Sequence, residues 1–279
     1  MIGPAGIRVS DQTSTESQAE TAERLRHGSS FGAAAAAYAE HRPDYAEAAV
    51  RWALEPVWPR QPLRVIDLGA GTGKLTATLV RIGVDVTAVE PDQKMLAELR
   101  REFPSVRSVA GRAEEIALPD GSVDAVLAGQ SMHWFDMDGA MPEIARVLTP
   151  GGVLAGLWNA DDDRAGWVAE LAEISKSRSG LTLLRWRDGV AKSRRERLNA
   201  AGSALFHAGQ EREFEHGQAR TADSLLATIA THSHLLVMAE PERARLLAQV
   251  RDFLYARPET SSGEFVLPMV TVALRALRK

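Results

Sequence analysis

The chain has 279 residues, 45% hydrophobic and 25% charged, with a net charge of −4. That composition excludes disorder and fibrous repeats for its bulk and supplies no global pull toward nucleic acid or an anionic membrane. It contains no cysteine, so disulfides, a thiolate nucleophile and Cys-ligated metals are excluded. No apolar run approaches the ~20 residues needed to span a bilayer, and a cytoplasmic location is expected.

In chain order, residues 1–28 are expected to be a flexible leader, because 10–23 is rich in Ser, Thr, Gln and Glu and no secretory h-region precedes it. An Ala-rich helix is predicted over 31–40, ending at Arg42-Pro43, and a second over 45–54 before Pro56 and Pro59. From Arg64 onward, short apolar runs alternate with helix-like stretches, the pattern of a mostly parallel sheet covered on both faces. Strands are predicted over 64–68, 85–90, 106–110, 124–129 and 153–158, with crossover helices over 73–82, 93–102 and 139–148. Thr149-Pro150-Gly151-Gly152 marks a stop and turn. Beyond Asn159 the pattern predicts helices over 167–177, 185–198, 224–232 and 242–256, and strands over 212–218 and 264–277.

The most informative segment is Val65-Ile66-Asp67-Leu68-Gly69-Ala70-Gly71-Thr72-Gly73-Lys74, an apolar strand running into a glycine turn and a helix. Such a turn brings a ligand close to main-chain N–H groups. The dinucleotide fingerprint fails because Lys74 stands where its third glycine belongs. The P-loop fails at Leu68 and Leu75. About 20 residues after the turn, the next strand ends in Glu90-Pro91-Asp92, where α/β nucleotide folds place a carboxylate on the ribose hydroxyls. Asp92 is expected to cap the following helix.

Together with three later stretches, these residues resemble the class I S-adenosylmethionine-dependent methyltransferases, particularly the bacterial small-molecule (type 11-like) group. The later stretches are Gly111-Arg112-Ala113-Glu114-Glu115-Ile116, Gly121-Ser122-Val123-Asp124 and Glu143-Ile144-Ala145-Arg146-Val147-Leu148-Thr149-Pro150-Gly151-Gly152. The likeness covers about 31–159. It implies a Rossmann-like, doubly wound α/β sheet, mostly parallel, of seven strands with the last antiparallel. It also implies one domain over 29–279: a helical lid at 29–60, a cofactor-binding core at 61–160, and late strands with acceptor-pocket helices at 161–279.

Carried over by position, the resemblance implies S-adenosylmethionine as cofactor. Gly69, Ala70 and Gly71 would line its methionine part, with Asp67 holding the ammonium directly or through water. Glu90 would take the ribose diol, Pro91 would pack beside the adenine, and Ala113 and Glu114 would meet the adenine edge. Arg112 stands where many relatives carry an acid. Gln130 would lie beside the methionine, and Tyr38 and Arg42 would belong to the lid. Tyr45, His133 and Trp134 are expected in the acceptor pocket, to which Trp167, Trp186, His207, His232 and His234 would also contribute.

Methyl transfer is an in-line displacement at a sulfonium carbon, so alignment supplies most of the rate. A base is required only where the acceptor must lose a proton. His133 is the histidine placed for that work near neutral pH, the alternative being a residue that bonds loop backbone or shapes the pocket. No metal site is expected, since His232 and His234 do not share a helical face at ligand spacing. The stretch Arg185, Arg187, Lys192, Arg194, Arg195, Arg197 is interleaved with acids and reads as a solvated helix face rather than a nucleic-acid surface. The expected reaction is methylation of a small molecule, on oxygen in preference to nitrogen or carbon. An RNA or protein methyltransferase and a non-catalytic S-adenosylmethionine-binding module are the alternatives. Oligomeric state is left open.

Overall fold

The structure is a computed structural model and describes residues 43–175, 190–230, 235 and 238–279. The helix expected over 31–40, with Tyr38 and Arg42, lies outside the described residues, as do Trp186, His232 and His234.

Seven strands form one sheet in the order β3-β2-β1-β4-β5-β7-β6. They are β1 (Arg64–Leu68), β2 (Asp85–Glu90), β3 (Arg107–Ala110), β4 (Val123–Gly129), β5 (Leu148–Asp161), β6 (Gln210–Arg220) and β7 (Phe265–Leu277). The first five are mutually parallel, and β7 runs antiparallel between β5 and β6. This is the mixed Rossmann-like sheet the resemblance implies. Strand order reverses between β1 and β4, and open α/β sheets bind ligands in the crevice beyond the carboxyl ends at such a point.

Two layers of helices cover the sheet. On one face α1 (Glu47–Leu54) buries Ala49, Val50, Ala53 and Leu54 against Val65, Leu127, Ala155 and Leu157, and α2 (Lys74–Arg81) adds Leu75 and Leu79. Within the segment expected to be a lid, α1 is therefore a core helix, and among its described residues Asp44 and Tyr45, which lead into that helix, reach the carboxyl edge at Asn159 and Gly129. On the other face α4 (Met137–Val147) and α6 (Val190–Gly202) pack with Ile66, Val126, Leu154 and Trp158, while α3 (Gln93–Glu102) follows β2. A further apolar cluster joins α5 (Gly166–Ile174), α7 (Ala222–Ala230) and α8 (Glu240–Tyr255) to Leu267 and Met269 of β7.

Several local choices follow from side-chain chemistry. Asp92 caps α3 by accepting from the backbone N–H groups of Lys94 and Met95, as its spacing predicts. The Thr149–Gly152 turn does form, but it does not end a helix before a fresh strand. Val123 pairs with Leu148 and Ala125 with Val153, so the turn bulges out of a single long β5.

Candidate functional site

At the carboxyl ends of β1 and β2 the glycine turn is closed on itself. The backbone N–H groups of Gly69 and Ala70 donate to Val89 O at 2.8 and 3.1 Å, that of Gly71 to Glu90 Oε2 at 2.8 Å, and that of Gly73 to Ala70 O at 2.9 Å. The expectation that these amides face a ligand is corrected: they hold the turn. The carbonyl oxygens of Gly69 and Gly71 accept no hydrogen bond from the described residues, so the turn offers acceptors. Gly69 has a φ of +69°, and a Cβ there would lie 2.6 Å from Ser131 Cβ, so a side chain is excluded by strain and by space. The buried Ser131 hydroxyl donates to Leu68 O at 2.7 Å and locks the end of β1 to the loop after β4. Sequence reasoning passed over this residue, although its place directly after the β4 edge was the available signal.

Beneath the turn, Asp67 is fully buried. Its Oδ2 accepts from the Thr76 hydroxyl at 2.6 Å, while Oδ1 and the nearby Thr72 Oγ1 are buried without a partner. Burial raises the Asp67 pKa to about 7; the Thr76 hydrogen bond opposes this and the Glu90 charge adds to it. Glu90 is also buried, and its pKa is raised by desolvation against the pull of two backbone donors, Asp92 N–H on Oε1 at 2.9 Å and Gly71 N–H on Oε2. Two desolvated carboxylates and two acceptor-only carbonyls fit the ammonium and hydroxyl donors of an amino-acid nucleoside, and the orphaned Asp67 Oδ1 is the atom such a cation would satisfy.

The loop expected to meet adenine is anchored from below. Ala113 is buried in the core beside Val89 and Ile116. Glu114 accepts from the backbone N–H of Asp136 at 2.8 Å and pairs with Arg112 at 3.4 Å, tying this loop to the start of α4. Pro91 is exposed next to Glu90.

The edge at β4 and β5 has a different character. Gln130 sits at φ +54°, with its N–H on Leu157 O and its Nε2 donating to Asn159 O at 2.8 Å. Strain of that kind in a non-glycine residue concentrates at functional sites. Tyr45 is buried with its hydroxyl against Gly129, where a Cβ would come within 2.6 Å of it. Asn159 Nδ2 donates to Asp44 O, and its Oδ1 accepts from the Thr271 hydroxyl at 2.6 Å, so the chain entering α1 is fastened to β5 and β7.

His133 and Trp134 occupy a short 3-10 turn, Met132–Trp134, with ring centroids 4.6 Å apart. His133 Nδ1 is buried without a partner. Burial, then the charges of Arg194 and Arg197, push the ring down to about 4, which corrects the expectation of a base titrating near neutrality. Arg194, expected on a solvated face, instead lies half-buried with its guanidinium 4.4 Å over the ring of Trp158 on β5, and desolvation lowers it to about 9. Arg195 and Arg197 are exposed, as that reading predicts. His207 is exposed just ahead of β6, at the edge where the parallel strands begin, and so lies away from this group, whereas Trp167 packs edge-on against Phe265 at the start of β7, on the carboxyl side of β5.

The structure therefore brings together Asp67, Gly69, Ala70, Gly71 and Glu90 on one side of Ser131, and Tyr45, Gln130, His133 and Trp134 on the other. The mixed seven-stranded sheet is that of the class I methyltransferase fold. Residues 66–156 match the methyltransferase domain family. The chain is 41% identical to an uncharacterized methyltransferase of Mycobacterium tuberculosis over 257 residues, covering 92% of this chain and 98% of that protein. It is 36% identical over 149 residues to a malonyl-[acyl-carrier protein] O-methyltransferase of Methylococcus capsulatus, covering about half of each. A structure from Anaeromyxobacter dehalogenans, proposed as a type II methyltransferase, is 27% identical with a TM-score of 0.58, covering 85% of this chain and 97% of that one. One from Anabaena variabilis, at 19% identity and a TM-score of 0.56, shares the fold. The chain belongs to the class I S-adenosylmethionine-dependent methyltransferases and is an enzyme of that family. Among the described residues no helix is long and apolar enough to cross a membrane.

Proposed function

We propose that this enzyme methylates an oxygen of a small-molecule acceptor, and that the oxygen belongs to a carboxylate. The observation that carries this reading is the setting of His133, whose Nδ1 is buried without a hydrogen-bond partner and whose ring packs on Trp134, so that no carboxylate among the described residues orients it as a base. With its ring held neutral and weakly basic by burial, the pocket histidine is poorly matched to removing a proton from a phenol, alcohol or ammonium at neutral pH. A carboxylate is already ionised and needs no base. The malonyl-[acyl-carrier protein] relative, named as an O-methyltransferase, supports the same class of acceptor.

On the cofactor side, Asp67 and the carbonyls of Gly69 and Gly71 would hold the ammonium of S-adenosylmethionine, and Glu90 the ribose hydroxyls, with Pro91, Ala113 and Glu114 toward the adenine. When bound, that cofactor would supply an electrophilic methyl group on its sulfonium sulfur. The chain's own residues align and dehydrate: Ser131 fixes the spacing between the two edges, Gln130 and Tyr45 set the floor at β4, and Trp134 with His133 walls the acceptor side. Tyr38 and Arg42 would close over the cofactor, and the Cys-free composition supports work in the cytoplasm.

The test is the alkali lability of the product. Wild-type enzyme is given methyl-labelled S-adenosylmethionine and a panel of mono- and dicarboxylic acids, phenols and amines. A carboxyl methyl ester releases labelled methanol on mild alkaline treatment. Label confined to alkali-stable ethers or amines overturns the carboxylate assignment.

A further inference from the structure

Helix α1 starts without a cap of its own. Its N-cap position is Ala46, whose side chain accepts nothing, so the chain entering the helix needs polar partners from elsewhere. They come from β5 and β7. The backbone N–H of Ala46 donates to the Thr271 hydroxyl at 3.1 Å, and the carbonyl of Asp44 accepts from Asn159 Nδ2 at 2.9 Å. Asn159 and Thr271 stand opposite each other in the β5–β7 ladder, and both are buried.

The protons of this group can be assigned. The Asn159 amide is fixed in orientation, because its nitrogen faces the carbonyls of Asp44 and Pro43. Asn159 Oδ1 carries no proton, so the 2.6 Å contact takes the single proton of the Thr271 hydroxyl. Ala46 N–H occupies one lone pair of that oxygen, and His216 Nε2 of β6 lies 3.1 Å from it. Nε2 therefore carries the ring proton and donates to the second lone pair. Burial lowers the His216 pKa, in keeping with a neutral ring. The donor and both acceptor positions of the Thr271 hydroxyl are thus used, in bonds that join residues 55 to 225 apart in the chain.

The group reaches the site through Asn159. Its backbone carbonyl accepts from Gln130 Nε2 at 2.8 Å, and Gln130 is the residue held at a φ of +54° after β4. The residue before it, Gly129, lies against the hydroxyl of Tyr45, which follows Asp44. Asn159, Asp44, Tyr45, Gly129 and Gln130 therefore close a ring. A left-handed glutamine persists only where its surroundings overdetermine it, and this ring does so. We infer that Asn159 and Thr271 are positioning residues for methyl transfer: with His216 they fix Tyr45 against Gly129 and Gln130, giving the acceptor a floor of one shape. The inference rests on the placement of Tyr45 and Gln130 in the acceptor site given above. It does not depend on the acceptor atom being a carboxylate oxygen.

The experiment compares wild type with Thr271→Val, which keeps the shape and removes the hydroxyl, and Thr271→Ser, which restores it. Amide hydrogen exchange is followed by mass spectrometry in peptides covering residues 44–46, 69–73 and 129–131, without ligand and with S-adenosylhomocysteine. Turnover is measured on any acid of the panel that wild type methylates; where none is turned over, exchange decides alone. In wild type, S-adenosylhomocysteine should slow exchange in 129–131. Thr271→Val should speed exchange in 44–46 and also in 129–131, where it removes no bond, and leave 69–73 as in wild type. It should lower kcat by about 10- to 100-fold with a much smaller change in KM, and Thr271→Ser should recover most of both effects. Faster exchange confined to 44–46, or an unchanged kcat, reduces Thr271 to an anchor for α1 and overturns the positioning role, while the site placement stands. Failure of S-adenosylhomocysteine to protect 129–131 in wild type takes Gln130 out of the site and overturns that placement along with the inference. If Thr271→Val does not fold, His216→Phe, which removes one donor from a half-buried ring, decides by whether exchange in 129–131 quickens.

Discussion

The two halves of the carboxyl edge use opposite electrostatics. Along β1 and β2 stand buried acids and carbonyls that accept no hydrogen bond from the described residues, all drawn from residues 67 to 92 and braced by bonds within that stretch. Along β4 and β5, the His133 imidazole, the Trp134 and Trp158 indoles and the half-buried Arg194 guanidinium come from a turn, a strand and a helix up to 61 residues apart. The first suits a donor that carries ammonium and hydroxyl groups. The second is the side on which the proposed carboxylate acceptor would lie. A transferase that must hold a cation and an anion side by side gains from keeping these two surfaces separate, with Ser131 as the rivet between them.

The sharpest way to break this division is at the rivet. Gly69→Ala forces a side chain into Ser131 at a positive φ and should cost about 2–4 kcal/mol, read as a fall in the denaturant midpoint and loss of S-adenosylmethionine binding. Retention of both would show that the two edges move independently.

Asp67→Asn tests the acidic side. Burial raises Asp67 from 3.8 to about 7, so the folded chain keeps a proton that the unfolded chain has released. Stability of the ligand-free protein should therefore fall as pH rises from about 4 to about 7. The amide variant should flatten that slope and gain about 1–3 kcal/mol above neutrality, while binding S-adenosylmethionine more weakly. An unchanged stability profile would show that Asp67 is not a strained anion.

Glu90→Ala should weaken cofactor binding by about 1–3 kcal/mol in a calorimetric titration, with part of any stability loss arising from the stranded N–H groups of Gly71 and Asp92. Equal affinity in the variant would remove Glu90 from the ribose.

The smallest effect is expected at His133. With its ring near 4, kcat/KM should be level between about pH 6 and 8, and His133→Ala should leave that shape intact while altering KM for the acceptor. A limb near the ordinary imidazole value that disappears in the variant would restore the general base and weaken the case for a carboxylate.

The acidic side was largely legible before any coordinates. Strands β1 and β2 and helix α3 have the bounds read from apolar runs, glycines and the Asp92 cap, because each rests on neighbours close in sequence. What was misjudged there concerns partners: the turn's amides are spent on Val89 and Glu90, which lie in the next strand. On the basic side the errors were larger. Arg194 looked like its exposed neighbours Arg195 and Arg197, since nothing in a charge run tells which member will meet Trp158. The ordinary titration expected of His133 fails because neither its burial nor the opposing charges of Arg194 and Arg197, on a helix far along the chain, can be read from its neighbours in sequence.

The amino-acid order alone determined the alternation of strand and helix, the glycine turn and the acid that follows it, since those depend on backbone freedom and on spacing within one βαβ unit. Only the packed sheet decided which polar groups lose water. Desolvation is a property of the whole surroundings, and it is what makes a poised acid of Asp67, a feeble base of His133 and a half-buried, weakened cation of Arg194.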